Sequence, residues 1–318
     1  MLSALQGGKS EIAKLLMKNG ATTDTHENSD LNLIMMAVTY CDVECVELLI
    51  KGGTSINKQD ENGNCALLIA IKKGNAEMVE LLLNNGADVD IYDEQGLTAL
   101  MIAVLHERCK IVHLLLNYGS SVNTQDKDGY TALLIAIQKG QTEIIHMLLE
   151  YEADVNLCTK YKKTAIMLAL RHCDLYIVKL LLDYGASLNV QYEDDETELQ
   201  LAIKMQKINA IKLLLEYGSD IELCDKQKRT PLMLAVKYCD QCVVELLIQH
   251  GASVNVQDVN GKTSLFVAVF ESKYKIIELL LIYGADIDIC DKNKLTPLMI
   301  AIKNHDFESI DLLKNRTL

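Results

Sequence analysis

An alanine recurs every 33 residues along this 318-residue chain, with no insertion or deletion between its occurrences. The series is Ala4, Ala37, Ala70, Ala103, Ala136, Ala169, Ala202, Ala235, Ala268 and Ala301. Glycine follows the same interval from Gly20 to Gly284, except that Glu152 takes its place once. A fixed internal period of this length predicts an array of stacked repeats, and it favours binding over catalysis as the class of function.

Composition narrows the class of protein further. The formal net charge of −13 argues against nucleic-acid binding, which depends on Lys and Arg neutralising phosphates. No apolar run approaches the ~20 residues that span a bilayer, and the N-terminal segment lacks the basic-then-apolar order of a secretory signal. Ten cysteines without such a signal indicate reduced thiols, so we expect a cytoplasmic protein, with the nucleus as the alternative.

One unit of the repeat, Asp93–Gln125, shows how the pattern folds. Asp93–Gly96 has the residues of a tight turn, and Thr98 suits the N-cap of a first helix. A second apolar helix follows and should end at Gly119, which favours a left-handed C-cap. Each unit is therefore predicted to be a turn, two helices and an extended segment, with the turns forming β-turn or hairpin fingers.

Neither helix can bury its apolar side within one unit, so adjacent units must stack on each other. The predicted fold class is all-α, a solenoid of helix–turn–helix units. We expect a single array over residues 1–318. It comprises an incomplete unit at 1–26, eight full units at 27–290, and a C-terminal capping unit at 291–318 whose last helix is polar.

Three segments of the chain carry recognisable repeat motifs. Thr230–Ala235 reads TPLMLA, Thr296–Ala301 reads TPLMIA, and Gly86–Asp90 reads GADVD. These segments resemble the first-helix and closing motifs of the ankyrin repeat family. The resemblance covers the whole chain and implies a protein-interaction module without catalysis or cofactor. The family's first-helix histidine is replaced throughout, by Met35, Leu68, Met101, Leu134, Met167, Gln200, Met233, Phe266 and Met299.

Several turn and cap glycines of the repeat are also replaced. The turn positions without glycine are Lys162, Asp195, Lys228 and Lys294, and the cap position without it is Glu152. Because these positions favour a positive φ, we expect strained or differently shaped turns there.

A second period of 66 residues lies within the first. The last position of each unit reads Gln59, Tyr92, Gln125, Cys158, Gln191, Cys224, Gln257 and Cys290. The exposed end of the first helix reads Tyr40, Lys73, His106, Lys139, His172, Met205, Tyr238 and Glu271. Duplication of a two-unit block accounts for the origin of this pattern, and the resemblance implies that both positions lie on a concave face.

The first-helix ends and the turns are the candidate partner-binding positions. Tyrosine is enriched at binding hot spots because its rigid ring carries a polar tip. The candidates are Tyr40, Lys73, His106, Lys139, His172, Met205, Tyr238, Tyr130, Tyr161, Lys163 and Arg229. Solvated side chains without a partner are the alternative for each of them taken alone.

Two further rows are interpreted as structural. Turn charges alternate in sign, from Lys160, Lys162 and Lys163 to Glu193, Asp194, Asp195 and Glu196, and then to Lys226, Lys228 and Arg229. Pairing between neighbouring turns is favoured over recognition of a partner with mixed charge. Tyrosines before the helix-ending glycine are expected to pack locally, with a convex contact surface as the alternative: Tyr118, Tyr151, Tyr184, Tyr217 and Tyr283.

Motifs for chemistry are weak in this chain. Gly261–Thr263 resembles the end of a phosphate-binding loop, but the glycine needed five residues earlier is Val256. The pairs Cys41 with Cys45 and Cys239 with Cys242 lack a second pair to complete a zinc site. We therefore expect no metal, no cofactor and no enzymatic activity.

The sequence predicts a monomeric scaffold that binds one or more partner proteins on its concave face, with no nucleic acid and no membrane insertion. The alternative is an adaptor or targeting fragment of a larger multidomain protein, or of a ubiquitin-ligase or kinase assembly.

Overall fold

The computed structural model describes residues 2–19, 33–192 and 195–314. The chain divides into two compact units, Met1–Lys160 and Tyr161–Leu318, which are described separately. Among the described residues, no helix is both long enough and apolar enough to cross a membrane.

The first unit consists of helix pairs joined by short connections. Its helices are α1 (Leu2–Gln6), α2 (Ser10–Lys18), α3 (Leu33–Tyr40), α4 (Val43–Lys51), α5 (Ala66–Lys73), α6 (Ala76–Asn84), α7 (Ala99–Leu105), α8 (Cys109–Asn117), α9 (Ala132–Lys139) and α10 (Thr142–Glu150). Odd-numbered helices are the first of each pair, and from α1 to α9 they pack on one another in order within the unit.

The second unit repeats this arrangement. Its helices are α11 (Ala165–His172), α12 (Leu175–Asp183), α13 (Glu198–Lys204), α14 (Ile208–Glu216), α15 (Pro231–Tyr238), α16 (Gln241–Gln249), α17 (Ser264–Phe270), α18 (Tyr274–Ile282), α19 (Pro297–Lys303) and α20 (Phe307–Lys314). The predicted all-α repeat architecture is confirmed within each unit.

Threonine determines where most first helices begin. The hydroxyl of Thr98 accepts a hydrogen bond from the backbone N–H of Met101 at 3.3 Å, which satisfies a donor that the helix leaves unpaired. The same cap recurs at Thr131, Thr164, Thr197, Thr230, Thr263 and Thr296. Pro231 and Pro297 follow their caps directly, where a missing N–H costs nothing.

The alanine row lies at the contacts between first helices. Every member from Ala37 to Ala301 is fully buried, because the small side chain lets neighbouring helices approach closely. In the first unit α3 packs on α5, α5 on α7 and α7 on α9; in the second unit the series from α11 to α19 does the same. The alanine register is therefore the seam of each stack.

The finger, defined here as the segment between one helix pair and the next, is closed by an aspartate. One carboxylate oxygen of Asp126 accepts from the backbone N–H groups of Asp128 at 2.9 Å and Tyr130 at 2.8 Å. The equivalent carboxylates of Asp60, Asp93, Asp225, Asp258 and Asp291 bind their fingers in the same way. A β-bridge joins Tyr92 to Thr98, so the predicted β-turn fingers are present.

Positions without glycine keep the shape of the glycine turns. Lys228 has φ 56°, and its N–H still donates to the carbonyl of Asp225 at 2.7 Å. Glu152 has φ 61° and makes the same helix-ending bond, from its N–H to the carbonyl of Leu149 at 3.1 Å. The expectation of a different turn shape is wrong at these positions. The fold holds them in the left-handed region at a cost of about 1 kcal/mol each.

The last helix pair leaves three apolar side chains exposed. Met299 and Ile302 on α19 are each about half exposed, and Phe307 on α20 is 74% exposed. The corresponding positions of α15, Met233 and Val236, are buried.

Candidate functional site

The predicted first-helix positions of the first unit lie on its surface. Tyr40, at the end of α3, is 55% exposed, and Lys73, His106 and Lys139 are exposed at the ends of α5, α7 and α9. Lys73 also has a structural contact, because its ammonium group donates to the carbonyl of Thr39.

The same positions of the second unit differ in exposure. His172 is exposed at the end of α11, whereas Met205 and Tyr238 are half-buried after α13 and at the end of α15. The ammonium group of Lys237 lies 5.3 Å from the centroid of the Tyr238 ring, a cation–π contact that covers part of this ring.

The predicted finger residues differ in their exposure and in their contacts with the rest of the fold. Tyr161 is 54% exposed, whereas Tyr130 and Lys163 are half-buried. Arg229 is bound within its own finger, where Nε donates to Oδ2 of Asp225 at 2.8 Å and a terminal nitrogen lies 2.6 Å from the same oxygen. Because Asp225 is buried, this ion pair holds the guanidinium group of Arg229 within its own finger.

A groove in the second unit brings finger and first-helix positions together. It has a volume of about 300 Å³ and lies between two fingers and the helices α15 and α17. The fingers contribute Arg229 and Lys262, and the helices contribute Met233, Phe266 and Phe270. Of the predicted residues, only Arg229 is among those that line this groove.

Lys262 and two phenylalanines form one contact group in the groove. The ammonium group of Lys262 lies 5.3 Å from the ring centroid of Phe266 and 5.5 Å from that of Phe270. Phe266 is buried beneath its helix neighbours, whereas Phe270 is 57% exposed. The arrangement presents an aromatic surface and a cation side by side, which suits contact with a polypeptide more than a chemical step.

The family comparison agrees with this geometry. A family model that describes ankyrin repeats in three copies matches residues 34–126, 100–192, 199–291 and 265–317. The chain belongs to the ankyrin repeat family. Ankyrin repeats are generally protein–protein interaction modules and generally lack catalysis. A search of curated proteins found no match to the chain.

In this ankyrin chain the 66-residue period has a structural role. Four glutamines each donate from Nε2 to a carbonyl of their own finger and to a carbonyl of the finger that follows, at 2.7–3.1 Å. The glutamines are Gln59, Gln125, Gln191 and Gln257, and the second carbonyls belong to Tyr92, Cys158, Cys224 and Cys290. This row of glutamines joins consecutive fingers in pairs, at every second unit of the repeat.

Gln200 occupies the place of the ankyrin histidine and makes hydrogen bonds in its stead. Its Oε1 accepts from the N–H of Thr197 at 3.0 Å, and its Nε2 donates to the carbonyls of Leu223 at 2.8 Å and Arg229 at 3.3 Å. Gln200 is fully buried, so these bonds tie the start of α13 to the next finger.

The outer tyrosines bind the preceding repeat. The hydroxyl of Tyr118 donates to Oδ1 of Asn84 at 2.5 Å. Tyr151 donates likewise to Asn117, and Tyr217 to Asp183. The bond to Asp183 raises the pKa of Tyr217, because loss of the proton would place two negative charges together. These contacts support local packing as the role of these three tyrosines.

The acidic finger of the second unit pairs differently from the prediction. Glu193 and Asp194 lie outside the described residues. Glu196 pairs with Lys204 of the following helix at 2.6 Å, and it accepts from the Tyr192 hydroxyl at 2.6 Å. For Glu196, the predicted pairing with neighbouring fingers is therefore wrong, because the folded finger brings Lys204 closer.

A buried carboxyl group lies beside this finger. Glu198 is 1% exposed, and its oxygens accept from the Thr164 hydroxyl at 3.4 Å and the Asn189 N–H at 3.1 Å. Burial raises its pKa to about 7, against the lowering effect of these bonds. Burial and the bond to Glu196 also raise the pKa of Tyr192 to about 12.

The cysteines are thiols in mixed surroundings. All ten are outside disulfides; Cys45, Cys65 and Cys239 are buried, whereas Cys242 and Cys290 are exposed. Burial raises the pKa of Cys173 and of Cys239 to about 11, so these two are protonated at neutral pH. Among the described residues, no group of three His, Cys, Asp or Glu side chains is placed to hold a metal ion.

Phe270 and Lys262 were not among the sequence-predicted site residues. The sequence does hold a signal, because the position of Phe270 is occupied in the other units by Thr39, Lys72, Leu105, Gln138, Arg171, Lys204, Lys237 and Lys303. Lys262 shares its position with the predicted Tyr130, Lys163 and Arg229.

Proposed function

We propose that this ankyrin repeat chain is a non-enzymatic scaffold that binds a partner protein through its first-helix ends and fingers. The observation that carries the proposal is a contrast between the outer tyrosines, which bond to a neighbouring repeat, and the residues at the first-helix ends. Outer tyrosines such as Tyr118 are bound to the preceding repeat, whereas first-helix residues such as Tyr40, His106 and His172 extend into solvent.

Hot-spot energetics favour the same positions. Binding energy concentrates in a few aromatic and cationic side chains that become desolvated on contact. First-helix ends supply Tyr40 and Lys73 in the first unit, and His172 and Tyr238 in the second. The family is generally used for protein interaction, and a set of such side chains on a rigid stack needs little ordering when a partner binds.

A matched pair of double variants tests this proposal. Affinity capture from the native cell, followed by cross-linking, identifies a partner and the residues it contacts. We expect His172→Ala with Tyr238→Ala to weaken capture of that partner by about tenfold, as loss of hot-spot side chains does, without changing the melting temperature.

The control removes the same residue types elsewhere. His250→Ala with Tyr283→Ala alters the ends of α16 and α18, where His250 bonds to its own helix, and should leave capture unchanged. Full capture by the first double variant, or cross-links that fall on the outer tyrosine row, would contradict the proposed surface.

The proposal also concerns location and assembly. Ten cysteines outside disulfides support a reducing compartment, so we place the protein in the cytoplasm, with the nucleus as the alternative. We treat the binding species as a monomer, and sedimentation of the purified chain at increasing concentration checks this.

A further inference from the structure

The connection between α3 and α4 holds two cysteines on either side of a helix cap. Cys41 follows α3 directly, Asp42 is the N-cap of α4, and Cys45 lies in the first turn of that helix. Oδ1 of Asp42 accepts from the backbone N–H of Cys45 at 2.9 Å. A cap of this kind holds the first helical turn against the chain that enters it, so Cys41 and Cys45 come close together.

The thiols of these two cysteines act on each other. Burial and then the neighbouring thiol of Cys41 raise the pKa of Cys45 to about 12, and the second effect requires the two side chains to be near each other. Sγ of Cys41 also lies 4.0 Å from the carbonyl oxygen of Leu5 on α1. Because α1 packs on α3 and α2 packs on α4, the two thiols lie side by side where the first two helix pairs meet.

The two thiols differ in their access to solvent. Cys45 is fully buried, whereas Cys41 is half-buried. The cation beside them, Lys14, is already paired with Asp42 at 2.8 Å and Glu44 at 2.6 Å, and Cys45 remains a protonated thiol at neutral pH. Cys41 is therefore the thiol that a dissolved oxidant reaches first, and Cys45 is placed to react with it afterwards.

We propose that Cys41 and Cys45 form a redox-sensitive modification site, at which hydrogen peroxide converts two adjacent thiols into a reversible disulfide. In the first step the Cys41 sulfur attacks one oxygen of the peroxide. The O–O bond breaks, Cys41 becomes a sulfenic acid, and one water leaves. In the second step the Cys45 sulfur attacks the sulfenic sulfur to form the S–S bond, and the Cys45 proton leaves with the hydroxyl group as a second water. The two sulfur atoms are oxidised, and the peroxide is reduced to two waters.

The connection between α15 and α16 provides a matched comparison. It begins with Cys239 in place of Cys41 and has the same aspartate cap, but the N–H that this cap binds, at 3.2 Å, belongs to Val243. Its second cysteine, Cys242, comes one position before Val243 and is exposed. Successive residues of a helix point roughly 100° apart, so Cys242 faces solvent. We expect no disulfide between Cys239 and Cys242.

Peptide mapping of the oxidised full chain tests the inference. The reduced protein is treated with hydrogen peroxide at neutral pH, the remaining thiols are blocked with iodoacetamide, and the peptides are identified by mass spectrometry. We expect a disulfide between Cys41 and Cys45 that dithiothreitol reverses, and no link between Cys239 and Cys242. Recovery of Cys41 and Cys45 as blocked thiols, or a link from either of them to another cysteine instead, would overturn the inference.

Variants then test the order of the two steps and the geometry. Cys45→Ala should leave Cys41 as a sulfenic acid, which dimedone traps, whereas Cys41→Ala should leave the buried Cys45 unmodified. Cys242→Ala is the control and should form the disulfide as the unaltered chain does.

A gain of function tests the same geometry in the second unit without removing a cysteine. Val243→Cys places a thiol at the position that corresponds to Cys45, and it should add a second disulfide, to Cys239. Oxidation of this variant without a second disulfide would contradict the role given to the cap. None of these measurements needs a partner protein, so the inference and the proposed function stand or fall separately.

Discussion

Two regions of the second unit depart from the common repeat in opposite ways. The region around Tyr192 and Glu198 buries polar and ionisable side chains, and nearly every group there has a partner within the fold, as with the ion pair from Glu196 to Lys204. The region around Lys262 and Phe270 leaves an apolar ring in solvent. The unusual side chains around Glu198 are bonded within the fold and so contribute to its stability, whereas the exposed ring of Phe270 is available for contact with another molecule.

The largest effect on stability is expected at Glu198, in the region that buries ionisable side chains. Its raised pKa of about 7, against 4.5 for an unperturbed glutamate, means that the folded state retains a proton that the unfolded chain loses. That contribution to stability is fully present below pH 4.5 and is lost as pH rises through about 7. The loss is on the order of 3 kcal/mol.

Glu198→Gln should remove that loss. The amide oxygen can accept from the Asn189 N–H as the carboxyl does. The Thr164 hydroxyl, which donates to the carboxyl in the original chain, can rotate to accept from the amide NH2 group. We expect the variant to be more stable than the original chain at pH 8, and equal to it at pH 4. Urea unfolding of both proteins across this pH range measures the difference. The control is Glu80→Gln, which alters an exposed glutamate; a wild-type stability that does not fall between these pH values would contradict the raised pKa.

Much of this organisation could be predicted from the sequence, because it depends on local chemistry. The alanine seam, the threonine caps and the turn positions follow from side-chain size, hydroxyl bonding and backbone freedom at single positions such as Ala103 and Thr98. The role of Gln59 and its equivalents could not be predicted, because it depends on the distance between consecutive fingers. A phenylalanine in a row of mostly polar residues marks Phe270 in the sequence, but its contact with Lys262 of the preceding finger depends on the folded distance between them.

Gln200 offers a second test of the compensated region. Gln200→Met places there the residue that α11 and α15 carry at Met167 and Met233, and it leaves the carbonyls of Leu223 and Arg229 without this donor. We expect a loss of about 1–3 kcal/mol, the cost of unpaired buried polar groups, measured as a lower urea midpoint. Gln138→Met, at an exposed position, is the control. An unchanged midpoint would show that these bonds contribute nothing that Met cannot replace by packing.

The smallest effect on stability is expected at Phe270, in the region that leaves an apolar ring exposed. Because Phe270 is 57% exposed, Phe270→Ser removes less than half of the burial of a core phenylalanine and should lower the free energy of unfolding by only about 1–2 kcal/mol. Phe266→Ser, four residues earlier on the same helix and 2% exposed, should cost about 3 kcal/mol or more. Urea unfolding of the two variants side by side measures the contrast. If Phe270→Ser were as costly as Phe266→Ser, the ring would be part of the core and the groove would have no free aromatic surface to offer a partner.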